Sequence, residues 1–322
     1  MIGRPGVGFL RRTASADLFA CGQWPALIIV GAVLCACTEK EPAPTAPTIQ
    51  SVDPLSILPT AQAGAWDGRW EDQSLWPEGS AASYAELAEA FIAEDFPLSR
   101  SRAYTLLSEH AELPPALHIL GLTLFRLRRY TDAAHVFERF LAHAPGNASE
   151  TRVLGHCYYS LGRYEEAREH YQRVLAATPD SLESSFGLAL TEMRRGEVAS
   201  GMALFESVLE KQPAHADAAY WRARLSFDEE LAEWKEVQTA CRVALELAPT
   251  DPRVWFLSAE IANEQGDVES AASARSRFEW LESKHSLVRS LQQRLLFEPH
   301  LEGAAERLAQ LQEEIREKAQ RF

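Results

Sequence analysis

The chain has 322 residues, of which 46% are apolar, 32 are basic and 46 are acidic, so its formal net charge is −14 at pH 7. This apolar content excludes a chain that is disordered throughout. The acidic balance argues against a nucleic-acid-binding protein, because phosphates are neutralised by a surplus of Lys and Arg on at least one face. No long basic block follows the first dozen residues.

The N-terminus has the pattern of a targeting segment. Arg4, Arg11 and Arg12 precede an apolar run of 13 residues, WPALIIVGAVLCA, at positions 24–36. A membrane-spanning helix needs roughly 20 apolar residues. The run therefore predicts a secretory signal that is cleaved from the mature protein.

The end of this run, Leu34-Cys35-Ala36-Cys37, resembles the lipobox of bacterial lipoproteins, in which the final cysteine receives a diacylglyceryl group before cleavage. The resemblance implies that residues 1–36 are removed and that Cys37 becomes the lipidated first residue. It also implies a location at the bacterial cell envelope, with the membrane contacted through the lipid only. The alternative is a plain secretory signal whose cysteines stay free.

Residues 37–80 divide into a tether and an aromatic segment. Residues 38–48, TEKEPAPTAPT, alternate Pro with small polar residues, which favours an extended polyproline spacer. Trp66, Trp70 and Trp76 then fall within eleven residues. We expect them to cover the first helix pair, although the segment could instead occupy a binding groove or remain mobile and recruit a second protein.

From residue 80 onward, apolar residues recur every three or four positions, which predicts a helical body without strands. Small residues repeat at intervals of 34, 34, 34 and 36 residues, at Gly121, Gly155, Ala189, Ala223 and Ala259. Prolines close the segments at intervals of 34, 34 and 36 residues, at Pro145, Pro179, Pro213 and Pro249. The two extra residues of the fourth unit fall between Ala223 and Val237, in the predicted turn between its helices.

This pattern resembles the tetratricopeptide repeat, a 34-residue helix-turn-helix. The resemblance implies an all-α fold, a right-handed superhelix of about fourteen helices. We expect a degenerate helix pair at 81–113, five repeats at 114–283 and capping helices at 284–322. Small residues allow close helix approach, and an aromatic such as Phe137, Tyr171 or Phe205 fills the gap between neighbours.

The sequence contains little that points to a catalytic, cofactor or metal site. HExxH, GxSxG, Walker A, GxGxxG and CxxC motifs are absent after residue 37, and the nine histidines do not combine with other ligands at metal-binding spacing. We therefore predict no enzyme, no cofactor and no metal. Cys157 and Cys241 lie 84 residues apart in different repeats, so we expect small core residues and no disulfide.

The resemblance implies a concave surface that is lined by the first helix of each repeat and holds a peptide segment. Carrying the frame across assigns it His118, Phe125, Arg126, Arg152, His156, Tyr159, Phe186, Arg194, Tyr220, Arg224 and Phe227, together with Leu122, Leu190, Met193, Phe256 and Glu260. Arginine and aromatic side chains are common at interface hot spots. Some of these residues could instead pack between adjacent helices. We expect Arg152, Tyr159 and Arg224 to contribute more to binding than to stability.

The sequence therefore predicts a non-catalytic, lipid-anchored adaptor or assembly factor that binds a protein or peptide partner. The alternative is an accessory subunit of an envelope enzyme, such as cell-wall or polysaccharide machinery. A stand-alone enzyme is a third possibility and would need a site that no motif shows. Charge also changes along the array, from +2 over residues 116–145 to −10 over residues 180–283, which would orient a partner with its own charge gradient.

Overall fold

The computed structural model describes residues 73, 76–229, 232–298 and 301–319. These residues form thirteen α-helices and no β-strand, so the predicted all-α solenoid of helix-turn-helix repeats is confirmed. The helices are α1 Ser80–Ile92, α2 Phe96–Glu109, α3 Pro114–Arg126, α4 Tyr130–His143, α5 Ala148–Ser160, α6 Tyr164–Ala177, α7 Leu182–Arg194, α8 Val198–Lys211, α9 Ala216–Asp228, α10 Trp234–Leu247, α11 Pro252–Glu264, α12 Val268–Phe297 and α13 Ala304–Ala319. The predicted signal, the predicted lipid site Cys37 and the tether lie outside the described residues.

The links between successive pairs repeat one local design. Helices α4, α6, α8 and α10 each end two residues before a proline, which lacks the N–H that a continuing helix would use. Two residues after each proline, a side chain accepts a hydrogen bond from a backbone N–H of the next helix; these residues are Asn147, Ser181, His215 and Asp251. The repeated prolines therefore mark both a helix end and the cap that begins the next helix.

The turns inside the pairs also repeat. The turns that follow α1, α3, α5, α7 and α11 each contain one residue in the left-handed region, with φ of 57°, 59°, 76°, 85° and 76° at Glu94, Arg128, Gly162, Gly196 and Gly266. This conformation reverses the chain after a helix, and glycine adopts it without a Cβ clash. Two of the turns hold a residue with a side chain at this position, so they are locally strained.

We expect Arg128→Gly to stabilise the protein. Relieving the left-handed backbone gains about 1–2 kcal/mol, and the greater freedom of glycine in the unfolded chain offsets about 0.5–1 kcal/mol of this. Urea denaturation should therefore show a net gain of up to about 1.5 kcal/mol. The matched control is Gly162→Ala, where an added Cβ would meet open space but φ is 76°, so this variant should lose stability. A loss of stability in Arg128→Gly, or a gain in Gly162→Ala, would contradict the assignment of strain.

Small and aromatic residues pack the helices against one another, as predicted. A Cβ at Gly121 would lie 2.8 Å from the ring of Phe137, and a Cβ at Gly155 would lie 3.2 Å from the ring of Tyr171. Phe137 and Phe205 are 0% exposed and Tyr171 is 3% exposed. The aromatic rings therefore occupy the space that the small residues leave between helices.

The insertion in the fourth unit lies where the sequence predicted it. Five residues separate α9 from α10, whereas three separate α5 from α6 and α7 from α8. Val237 replaces the small residue of this unit and is fully buried. The extra length is therefore absorbed in the turn, and the helices keep their register.

Cys157 and Cys241 are both free and buried, which confirms the prediction that they are core residues. Burial raises the pKa of each thiol to about 12. Both therefore stay protonated and unreactive at neutral pH.

The sequence predicted about fourteen helices and the described residues contain thirteen, because α12 runs without interruption across the predicted boundary between residues 283 and 284. Its 30 residues contain neither Gly nor Pro, so no helix-breaking residue ends it at that boundary. His285 Nε2 also lies 2.9 Å from the carbonyl oxygen of Thr250, which ties this part of α12 to the preceding repeat.

Helix α13 packs against α12, and the two share a hydrophobic cluster that includes Leu281, Val288, Leu311 and Ile315. Helix α12 also contacts α2, in the first pair. None of the described helices is both long and apolar enough to cross a bilayer.

Of the three tryptophans in the aromatic segment, Trp76 lies among the residues that the structure describes. Its ring is half-buried and meets Tyr84 of α1 edge-on, with 4.8 Å between ring centroids. Trp66 and Trp70 lie outside the described residues. Coverage of the first pair by the whole segment therefore stays a prediction.

Candidate partner-binding surface

The residues predicted to line the groove occupy equivalent positions on α3, α5, α7, α9 and α11, and the face that they share is here called the inner face. Arg126 and His156 are exposed on it. A larger group is half-buried, comprising His118, Phe125, Arg152, Tyr159, Phe186, Arg194 and Phe227. Tyr220 and Arg224 are buried. Most of the predicted residues are therefore accessible to a partner, and two are not.

An aromatic cluster lies where α3, α4 and α5 meet. The ring centroid of Phe125 lies 5.2 Å from that of His156 and 5.8 Å from that of Tyr130, and Tyr130 lies 6.3 Å from His156. The rings come from three helices and none is fully buried. Together they form a partly exposed apolar surface against which a partner side chain can pack.

Two arginines flank this cluster, and no carboxylate of the described part of the chain lies within ion-pair distance of either. Arg126 lies at the end of α3, with its guanidinium 5.9 Å from the ring centroid of Phe96. Arg152 lies one helical turn before His156 on α5. Loss of hydration among the surrounding protein atoms is the larger cause that lowers the pKa of His156, and the positive charge of Arg152 is the smaller one. The neutral form of this imidazole is therefore favoured at pH 7. The cluster and these two arginines, namely Phe125, Arg126, Tyr130, Arg152 and His156, are here called the aromatic–arginine surface.

Two other predicted residues also contact their neighbours within the array. His118 Nε2 lies 3.0 Å from Glu150 Oε1, which joins α3 to α5. The ring of Phe186 lies 5.5 Å from that of Phe205 and 5.0 Å from that of His215. Both side chains therefore help to pack neighbouring repeats, an alternative that the sequence had left open.

Tyr220 requires a correction, because it is only 1% exposed. The guanidinium of Arg253 covers its ring at 4.8 Å, and burial raises the pKa of its hydroxyl to about 12. The frame placed it correctly on α9, but the neighbouring helix covers it. We therefore assign Tyr220 to the core.

Arg224 requires the same correction, since its side chain is 6% exposed. Nε donates to Asp228 at 2.6 Å, and a terminal nitrogen donates to Glu260 on α11. Burial alone would lower the pKa of Arg224, but the two carboxylates outweigh it and raise the pKa. Arg224 therefore joins two repeats through ion pairs, and its expected role is stability.

Aromatic residues also begin the second helix of several repeats, and the predicted set of groove residues does not include them. Tyr130 contacts Phe125, Tyr164 contacts Tyr159 at 5.7 Å, and Trp234 contacts Phe227 at 6.3 Å. Their spacing of 34 residues between Tyr130 and Tyr164 was visible in the sequence. The same period that located the small residues could have found them.

A cavity of about 340 Å³ lies between α11 and α12. Its walls include Phe256 and Phe278, whose rings are 5.2 Å apart, and the carboxylates of Glu260 and Glu279. Arg275 also lines the cavity and offsets part of this negative charge. The inner face therefore ends in an aromatic cavity bordered by acidic groups.

The described residues contain no group of three or more His, Cys, Asp or Glu side chains that could hold a metal ion. What the described inner face offers is aromatic surface, two arginines without carboxylate partners and packing between repeats. Fold and surface together define a repeat scaffold for protein–protein interaction.

Comparison with known families and structures supports this class. The tetratricopeptide repeat model matches residues 120–181 and 186–233. A tetratricopeptide repeat protein from Parabacteroides merdae has 16% identity and a TM-score of 0.53, with 70% of this chain and 87% of that chain covered. PilF of Pseudomonas aeruginosa has 17% identity and a TM-score of 0.51, with 69% and 96% covered. At these identities the likeness concerns the fold alone, and no curated protein matches the sequence.

Proposed function

We propose that this protein is a non-catalytic interaction protein, anchored by lipid in the bacterial cell envelope, that holds a segment of a partner protein on its inner face. The binding role is supported by the aromatic–arginine surface, because this surface combines accessible rings with cations that have no carboxylate partner among the described residues. Such residues supply most of the binding energy at protein interfaces. The role of adaptor or assembly factor follows from this surface and the predicted anchor.

Anchoring is supported by the Leu34-Cys35-Ala36-Cys37 motif and the Pro-rich residues that follow it. Acyl chains would hold the acidic body at the membrane, and two such chains give stable attachment. The alternative, a subunit of an envelope enzyme, would use the same surface with an enzyme as the partner.

For anchoring, we expect Cys37→Ser to abolish incorporation of labelled palmitate and to release the protein from the membrane fraction. The Cys37 thiol is the acceptor of the lipid, whereas Cys157 is buried with its pKa raised to about 12. The matched control Cys157→Ser should leave labelling unchanged. Labelling that survives Cys37→Ser would show that the lipobox interpretation is wrong.

For binding, we expect a photo-crosslinking amino acid at Phe125 or Tyr159 to capture one protein reproducibly in living cells. The matched control carries the crosslinker at Arg173 or Arg242, exposed positions on α6 and α10, the second helices of their pairs. Identical products from both sets would contradict binding on the inner face. Capture from the inner face of an envelope enzyme whose activity is lost in the deletion strain would favour the alternative.

A further inference from the structure

The inner face changes charge along the array. We compare four positions on each helix, those of His118, Leu122, Phe125 and Arg126 on α3 and their equivalents in the other repeats. On α3, α5 and α7 together, these positions hold three arginines, two histidines and no carboxylate. The same positions on α9 and α11 hold one arginine and three carboxylates, Asp228, Glu260 and Glu264. The net charge at these positions is therefore +3 in the first part and −2 in the second. A protein of net charge −14 thus keeps a local basic region on one part of one face.

Several arginines of the array are neutralised within the fold. Arg139 pairs with Glu112 at 2.7 Å, Arg168 pairs with Glu192 at 2.9 Å, and Arg253 pairs with Asp217 at 2.6 Å. Among the described residues, no carboxylate lies within ion-pair distance of Arg126 or Arg152. These two charges are therefore available to groups from outside the chain.

The surroundings of both arginines suit a carboxylate ligand. Phe96 lies beneath Arg126 and holds its guanidinium in a cation–π contact, which reduces the freedom lost on binding. Arg152 lies on α5 with His156, whose ring contacts Phe125 of α3. A partner carboxylate can accept paired hydrogen bonds from a guanidinium, while the apolar side chains beside it pack on the rings.

The following inference rests on the proposed function. We infer that the partner segment is an acidic peptide whose carboxylates bind Arg126 and Arg152. Its apolar side chains pack on Phe125 and Tyr130. The carboxylates at Asp228, Glu260 and Glu264 repel acidic residues, so the acidic part of the segment lies over α3 to α5. This charge difference fixes the direction in which the segment binds. A long polyanion is disfavoured because the rest of the chain is acidic.

The test selects peptides without assuming a sequence. The full chain is purified in detergent, immobilised and exposed to a phage library of random 12-residue peptides. We expect the selected peptides to be enriched in Asp and Glu beside aromatic or aliphatic residues. A selected peptide should bind the double variant Arg126→Glu, Arg152→Glu at least tenfold more weakly in fluorescence anisotropy, since one close charge pair is worth about 1.4 kcal/mol or more.

The matched control is Arg173→Glu, Arg242→Glu, which makes the same charge change at exposed positions on α6 and α10. It should bind the peptide as the unmodified protein does. The double variant at Arg126 and Arg152 should bind a version of the peptide with Lys in place of Asp and Glu, and raising the salt concentration should weaken both complexes. Equal losses in both double variants would show only a long-range charge effect and would overturn the inference.

The outcomes separate the inference from the proposed function. Neutral or basic selected peptides that lose binding on Tyr159→Ala would leave the proposed function standing and overturn the acidic partner. Absence of any enrichment would contradict the proposed function itself. Enrichment only after deletion of residues 38–72 would show that this segment of the chain occupies the inner face, which would also overturn the inference.

Discussion

Arg224→Ala should lower the free energy of unfolding by about 2–3 kcal/mol. The guanidinium is 6% exposed and joins α9 to α11 by donating to Asp228 and Glu260. Breaking a buried ion pair costs about 3–5 kcal/mol, because the remaining charge is left without a partner. The expected loss is smaller here, since the two carboxylates are 34% and 32% exposed and water can reach them.

Urea denaturation measures this loss, and Arg222→Ala is the matched control. Arg222 lies on the same helix, is half-buried and should change stability by no more than about 0.5 kcal/mol. The variant Asp228→Asn should lose less stability than Arg224→Ala. Burial already raises the pKa of Asp228, so replacing this carboxylate with a neutral amide costs the folded protein less than removing the guanidinium. Unchanged stability together with lost partner binding would restore the role that the sequence predicted for Arg224.

The sequence determined the position of Arg224 but not its role. The 34-residue frame places Tyr220 and Arg224 on the correct helix and face, yet it does not say how far the neighbouring helix covers them. A signal was present: Glu260 occupies the position equivalent to Arg224 one repeat later, 36 residues along the chain. Opposite charges at equivalent positions of adjacent repeats meet across the interface between them.

The parts that were predicted well depend on local chemistry that repeats. Pro145 and its equivalents mark helix ends, and the capping residues follow at a fixed distance, so both can be read from the sequence. The five-residue turn before α10 followed from the same spacing. The continuous α12 differs from the predicted boundary between residues 283 and 284, because no Gly or Pro interrupts the helix there.

Gly187 was missed for a different reason, which leads to the second large effect. The frame identified Gly155 as the small residue opposite Tyr171, and it gave no special role to Gly187 in the next repeat. A Cβ at Gly187 would lie 2.5 Å from Cζ and 2.6 Å from Cε1 of Tyr171, whereas a Cβ at Gly155 would lie 3.2 Å from the same ring. The tyrosine ring therefore fits more tightly against the following repeat than against its own.

We expect Gly187→Ala to destabilise the protein by about 1–3 kcal/mol, the usual cost of overpacking, although alanine favours a helix by about 1 kcal/mol over glycine. Tyr171 is 3% exposed, so its ring cannot move away without disturbing both repeats.

Gly155→Ala is the matched control and should be close to neutral, because its contact needs a shift of only a few tenths of an ångström. A double variant with Tyr171→Leu should recover part of the loss, since removing the ring atoms removes the clash, and the coupling between the two sites is measured by a double-mutant cycle in urea. Additive losses, or a stabilised Gly187→Ala variant, would show that the repeats adjust to the added methyl group and that this contact does not limit how closely α6 and α7 approach.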